Sequence, residues 1–382
     1  MNSKEELSTH LKTRISELSK QKAKGTKIVG YFPGGFVPLE LARAAGATPV
    51  CLIRGGDPEP VMEALQYVTR FLDTFWRGQI GYWALGEDPL YRLPDLIIAP
   101  ITDCHTRATA DCFNFYTDIP VYRIGVPHDR RELAFDFYLQ GLHSLKEKLE
   151  QLTGNKITEK KLLDEIEYTN KVRTLLRSIS MMRKEADPVI SSQEFIWWNH
   201  ASMLADKDVF LKCLEGFHDE LQKTKPDGIS RGPRLMLVAS TIAMGDVNLF
   251  NIIDDCGGEI VYEEVQEGVH PYLTDVELNG ADPVRALAEK YFMKRMPAPW
   301  DRPWGDRMDI LIREAKEYKV DGIIWYLLMY RDSYDMQAFS FEKKLQKETN
   351  IPFIKIESDY NPAEQGPTQT RLETFMEIVR GG

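Results

Sequence analysis

The sequence has no run of eighteen apolar residues and no charged-then-apolar leader, so nothing in it signals a membrane span or secretion. Cysteine is scarce, with five residues at 51, 104, 112, 213 and 256 of 382, an odd and scattered set. That spread argues against a disulfide framework and for a reducing, cytoplasmic setting. The absence of any CxxC pair excludes a self-contained zinc or ferredoxin-type motif. Positive charge is also short: 48 Lys and Arg stand against 58 Asp and Glu, for a net charge of −10. No concentrated basic surface is evident, which disfavours a nucleic-acid partner. The Lys- and Arg-rich stretch 10–27 reads instead as a solvated N-terminal helix. Nucleotide fingerprints are missing too, because "YFPGGFVP" (31–38) has neither GxGxxG nor GxxxxGK[ST] spacing. Pro33, Gly34 and Gly35 therefore read as a tight strand-to-helix turn, with a cleft-facing backbone loop as the second reading.

What is present describes a globular protein of two or three domains, 43% apolar and 28% charged. Strand and helix signals alternate through the first third. "KIVGYF" (27–32), "TPVCLI" (48–53), "DLIIAP" (95–100) and "IPVYRI" (119–124) read as strands, with helices over 38–46, 61–80 and 105–116 between them. Such alternation predicts a parallel sheet with helices on both faces. From about 132 the period changes and no strand signal appears. "TEKKLLDEIEYTNKVRTLLRSISMMRKE" has apolar residues every three or four positions, with Thr158 as N-cap. "KTKPDGISRGP" (223–233) reads as a linker. After it the alternation resumes with "RLMLVAS", "GGEIVYEE", "DGIIWYLL" and "IPFIKIES".

The second series answers the first. "PDLIIAPITD" is echoed by "VDGIIWYLLMYRD", and "TDIPVYRI" (117–124) by "TNIPFIKI" (349–356). The expected organisation is an N-terminal helix (1–26), a first α/β module (27–131), a helical segment (132–231) and a second α/β module (232–382). The modules are Rossmann- or flavodoxin-like. Ligands of open parallel sheets sit beyond the carboxyl ends of strands, so the loops after "DLIIAP" and "DGIIWYLL" should both face a functional cleft.

The first of these loops contains "TDCHTR". Cys104 there follows a buried strand and opens a helix, a position that lowers a thiol pKa and suits a nucleophile or metal ligand. The plainer reading is a small residue closing a strand. Cys112, Cys51, Cys213 and Cys256 fit core packing better. "MPAPWDRPWGDRM" (296–308) suits either an aromatic wall or lid, or a surface-packing loop.

Several blocks together resemble the 2-hydroxyacyl-CoA dehydratase and benzoyl-CoA reductase family. They are "KIVGYFPGGFVPLELARAAGATPV" (27–50), "PDLIIAPITDC" (94–104), the stretch 119–158, "KEYKVDGIIWYLL" (316–328) and "IPFIKIESDY … QGPTQTRLETFMEIV" (351–379), and they run in family order to the C-terminus. The resemblance implies a subunit of an oxygen-sensitive enzyme of anaerobes acting on CoA thioesters by low-potential one-electron chemistry. It also implies a [4Fe-4S] cluster held by three cysteines between two α/β domains, a homologous cluster-bearing subunit, and an ATP-hydrolysing iron-sulfur activator protein. "TDCHTR", with His105 and Arg107, falls where the resemblance puts the active cleft, and the loop of Pro33, Gly34 and Gly35, read as cleft-facing, is a candidate for the same substrate cleft.

The chain departs from the family at the cluster. Positions matching the three cysteines hold Asp73 in "RFLDTFW", Asp103 in "ITDCH" and Arg331 in "LMYRD". Two carboxylates and a permanent cation are poor replacements for thiolates on iron. The expectation is a salt-bridged plug in which Arg331 donates to both carboxylates. Three readings stand: a partner subunit that has lost its own cluster; an active subunit with a rearranged cluster that takes Cys104 as a metal ligand; and a CoA-thioester binding protein without a redox role.

Overall fold

The computed structural model describes residues 2–226, 232–265, 268 and 270–381; residues 227–231 of the expected linker lie outside this range. In chain order the elements are α1 (Ser3–Ala23), β1 (Ile28–Tyr31), α2 (Leu39–Ala44), β2 (Thr48–Cys51), α3 (Pro58–Glu63), α4 (Thr74–Leu85), β3 (Leu96–Ile101), α5 (Cys104–Tyr116) and β4 (Val121–Gly125). Four helices follow: α6 (Glu132–Thr153), α7 (Glu159–Met181), α8 (Ser192–Ser202) and α9 (Lys207–Lys223). The second series comprises β5 (Arg234–Ala239), α10 (Asn248–Asp255), β6 (Glu259–Glu264), α11 (Pro283–Ala288), α12 (Gly305–Glu317), β7 (Gly322–Leu328), α13 (Asp332–Glu348), β8 (Phe353–Ser358) and α14 (Gln365–Gly381).

The strands form two four-stranded parallel sheets, in the orders β2-β1-β3-β4 and β6-β5-β7-β8. The repeat extends to individual hydrogen bonds. Asp95 accepts from the Ile28 amide through its carboxylate at 2.8 Å, as Asp321 does from Arg234 at 2.8 Å. Ile97 donates to Pro120 as Ile323 does to Pro352, both at 2.9 Å. Thr117 and Thr349 each turn a hydroxyl back onto the preceding helix and accept the amide two residues on. A Thr that closes a helix and a Pro with no amide to donate explain why "T-x-I-P" opens the last strand of each sheet.

The modules meet through a short parallel bridge in which Met244 donates to Ile53 at 2.8 Å and Gly55 to Met244 at 3.1 Å. Gly56, at φ 90°, lets the chains approach, since a Cβ there would lie 2.7 Å from the Gly245 carbonyl oxygen. Helix α7 is pinned to both modules by buried ion pairs, Arg173 to Glu40 on α2 at 2.8 Å and Arg183, just past its end, to Glu263 on β6. Thr158 caps α7 by accepting from the Lys161 amide.

Two expectations change. The helix expected over 61–80 is broken: α3 ends at Glu63 and α4 starts afresh at Thr74, because Asp73 takes the Trp76 amide as a new N-cap. The N-terminal helix is not simply solvated. Leu7 and Leu18 are fully buried, and Arg14 is only 2% exposed, its Nε donating to Leu204 at 2.9 Å. Among the described residues no helix is long and apolar enough to cross a membrane.

Candidate functional site

Three helix starts converge at the carboxyl ends of β3 and β7. Asp103 is the N-cap of α5, and its Oδ1 accepts from the amides of His105 at 2.9 Å and Thr106 at 3.0 Å. Thr102 donates its hydroxyl to the other carboxylate oxygen at 3.0 Å. Asp73 is the N-cap of α4, accepting from Trp76 at 3.1 Å, and its own amide donates to His105 Nδ1 at 3.1 Å. The N-cap of α13 is Arg331. The Thr74 amide donates to Met329 at 3.3 Å, which ties the start of α4 to the end of β7. Tyr330 takes a left-handed φ of 70°, turning the chain so that Arg331 faces the first module.

Arg331 Nη1 lies 2.8 Å from Asp103 Oδ2, while its Nε is 3.9 Å from Asp73 Oδ2. The guanidinium therefore donates to one carboxylate, not both, and Asp73 Oδ2 is buried without a hydrogen-bond partner. Two acids at helix N-termini are favourable, whereas a cation there is not. The positive charge of Arg331 is stabilised by the two carboxylates and by the Trp300 ring, 5.6 Å from its guanidinium carbon. Trp300 thus walls the site, and Trp304 in the same loop stands half exposed at the surface. Asp301 fastens this loop through Arg130 at 3.0 Å and Arg295 at 2.8 Å.

The electrostatics separate the two acids. Burial pushes Asp73 above the ordinary carboxylate range, and Arg331 only partly offsets it. Burial also opposes ionisation of Asp103, but the adjacent Arg331 charge and the amide hydrogen bonds at the α5 N-terminus outweigh it and hold that pKa low. Arg331 is held above its usual value by the same acids despite its burial.

Cys104 is the first residue of α5 and is exposed. Its pKa is not lowered as a helix N-terminus alone would dictate. Partial desolvation and the neighbouring Asp103 carboxylate push it up. His105 belongs to the trio's surroundings through its bond to Asp73. Arg107 does not: it is largely exposed on the outer face of α5, 3.8 Å from Asp111.

An iron-sulfur cluster does not fit these residues. At the positions where the resemblance leads one to expect thiolates stand Asp73, Asp103 and Arg331, the guanidinium lies between the carboxylates, and among the described residues no group of three or more His, Cys, Asp or Glu could hold a metal ion.

Pro33, Gly34 and Gly35 lie elsewhere. They form the turn from β1 towards α2, with positive φ at both glycines (134° and 71°), and line a cavity of about 110 Å3 beyond the ends of β1 and β2. The cavity also receives Arg43, Lys290 and Tyr291. The sequence reading missed Arg43 and Lys290. The available signal was a lysine inside the apolar run "ALAEKYF", a buried helical pattern in which a charge is out of place.

A family model described as 2-hydroxyglutaryl-CoA dehydratase, D-component, matches residues 35–379. The chain is 25% identical over 368 residues to the beta subunit of (R)-2-hydroxyglutaryl-CoA dehydratase from Acidaminococcus fermentans, covering 95% of each chain. It is 23% identical over 357 residues to the beta subunit of (R)-phenyllactyl-CoA dehydratase from Clostridium sporogenes, covering 93% of this chain and 92% of that one. It is also 21% identical over 358 residues to a subunit of benzoyl-CoA reductase from Thauera aromatica, covering 93% of this chain and 91% of that one.

Proposed function

The chain belongs to the 2-hydroxyglutaryl-CoA dehydratase D-component family, and from that premise we propose that it is a partner subunit of a heteromeric acyl-CoA dehydratase or aryl-CoA reductase. The observation that carries the reading is the ion pair of Arg331 with Asp103 at 2.8 Å, set among three helix N-termini with Asp73 alongside. This arrangement keeps the strand-end loops of the two modules together without a metal. The chain's own residues supply no electron-transfer step. Its role is to shape one side of the complex and to present a docking face to a homologous subunit that retains three cysteines. The low-potential chemistry on a CoA thioester, and the encounter with an ATP-hydrolysing iron-sulfur activator, belong to that subunit. Relatives that are subunits of dehydratases and of a reductase support this division of labour, as does the pseudo-symmetry expected of two homologous chains.

The test is strictly anaerobic co-expression with a homologous, cysteine-complete subunit. The expected result is a stable heteromer whose iron stays with the sister chain on separation, and a colourless chain when this protein is purified alone. Iron-sulfur absorbance in the isolated chain, or clean monomer both alone and in co-expression, would overturn the proposal.

A further inference from the structure

The cavity beside β1 and β2 holds more positive charge than its own acids neutralise. Lys290 is only 3% exposed, yet among the described residues its ammonium has no carboxylate partner: it donates to the Pro271 carbonyl at 3.1 Å and lies 4.5 Å from the Tyr291 ring centroid. Arg43, on α2, sits 5.3 Å from the Tyr168 ring centroid with Nη1 buried and unbonded. The adjacent acid, Glu40, is already saturated by Arg173 at 2.8 Å and the Tyr291 hydroxyl at 2.9 Å. Asp275 is engaged by Arg177 at 3.2 Å. A buried cation is ordinarily paired, and Lys290, sharing the cavity with the part-buried Arg43 and without an acid of its own, marks a place for an anion from outside.

The rest of the wall sets the size and character of that anion. Phe32, Val37, Val172 and Phe210 contribute apolar surface. A volume of about 110 Å3 compares with the ~150 Å3 that accommodates benzene, so the body of the ligand is short. A phosphate presents more oxygens than two cations can satisfy in such surroundings, whereas a carboxylate has two. We propose that this cavity is a binding site for a short-chain aliphatic carboxylate, its tail against the apolar wall and its carboxylate held by Lys290 and Arg43. The inference does not depend on the function proposed above, since it uses none of the residues of the ion-paired trio and concerns the isolated chain.

Protonation adds a signature. Burial first, and then the Arg173 charge, lower Lys290 to about 7, with Glu40 and Asp275 opposing the shift. Arg173 faces it from α7, Glu40 from α2, Asp275 from the segment before α11, and Tyr291 from its own turn. A bound carboxylate raises that pKa again, so binding above about pH 7 should take up a proton.

Calorimetric titration of the isolated chain with pentanoate, and with the neutral pentanamide as control, tests the proposal. The expected dissociation constant for pentanoate at about pH 6.5 is on the order of 0.1–1 mM, with pentanamide at least ~10-fold weaker. Proton uptake should appear when the titration is repeated near pH 8 in buffers of different ionisation enthalpy. Lys290→Met and Arg43→Gln should each weaken pentanoate by ~10-fold. Arg43 is partly exposed and makes no ion pair among the described residues, so its variant remains decisive if Lys290→Met fails to fold. No heat with pentanoate up to ~10 mM, equal binding of the amide, or unchanged affinity in Arg43→Gln would overturn the assignment.

Discussion

Replacing Arg331 with alanine removes the cation between the buried Asp73 and the part-buried Asp103. Arg331 is 5% exposed, and the Asp73 and Asp103 side chains are 1% and 18% exposed. The 2.8 Å contact to Asp103 is a charge-assisted hydrogen bond, worth about 1.5–3 kcal/mol. The 3.9 Å contact to Asp73 carries roughly 4 kcal/mol of Coulomb energy at an effective dielectric of about 20, much of it offset by the desolvation of the groups involved. The net loss expected at about pH 7.5 is ~3–5 kcal/mol, the range for breaking a buried pair.

The sign of the pH dependence is diagnostic. In the native chain Asp103 is held below its ordinary pKa, so it contributes stability above that range and loses it as pH falls through the lowered value. Without Arg331, Asp73, already raised by burial, is pushed further up, and Asp103 loses the largest influence that lowers it. Ionising them then costs stability as pH climbs, and the variant's deficit should shrink between about pH 7 and pH 5. Urea denaturation followed by far-ultraviolet circular dichroism at the two pH values measures this. The additional change Asp73→Asn should recover ~1–2 kcal/mol at the higher pH by removing one unpaired charge. A deficit below ~1 kcal/mol at pH 7.5, or one that grows on acidification, would refute the reasoning.

Burial raises Asp246 to about 7 although the Tyr326 hydroxyl donates to it at 3.2 Å. An acid with a raised folded pKa loses stability as pH rises from its ordinary value through the raised one, so Asp246→Asn should stabilise the chain above pH 7 by up to ~4 kcal/mol and do little below about pH 4; thermal melts across that window check it. Helices α3 and α4 pack so closely that a Cβ at Gly81 would lie 1.7 Å from the Pro60 carbonyl oxygen. Gly81→Ala should therefore cost ~3 kcal/mol or more despite alanine's better helix propensity, read as a fall in the urea midpoint.

The alternation of elements and the two parallel-sheet series were legible in the chain because their signals are local. Period-2 and period-3.6 patterns, a capping Thr158 and the "T-x-I-P" strand openings each lie within a few turns of what they specify. The resemblance likewise located Asp73, Asp103 and Arg331 by position. What those residues do to one another was not local. The start of α4 at Asp73 depended on a side-chain cap competing with an apolar periodicity that favoured one continuous helix. The unequal distances of Arg331 to its two acids follow from where the ends of β3 and β7 lie when the modules pack. The cationic cavity was less accessible still, since Arg43 and Lys290 come from α2 and from the turn after α11 and share a cavity only because α7 and the β1–α2 turn close over it. Sequence alone determined the alternation of strands and helices, its repetition and the residues at the strand ends, though not the break between α3 and α4, since propensity and periodicity act over neighbouring positions. Tertiary packing alone decided which charges are paired and which are left facing a cavity, since distance and desolvation exist only once separate segments are brought together.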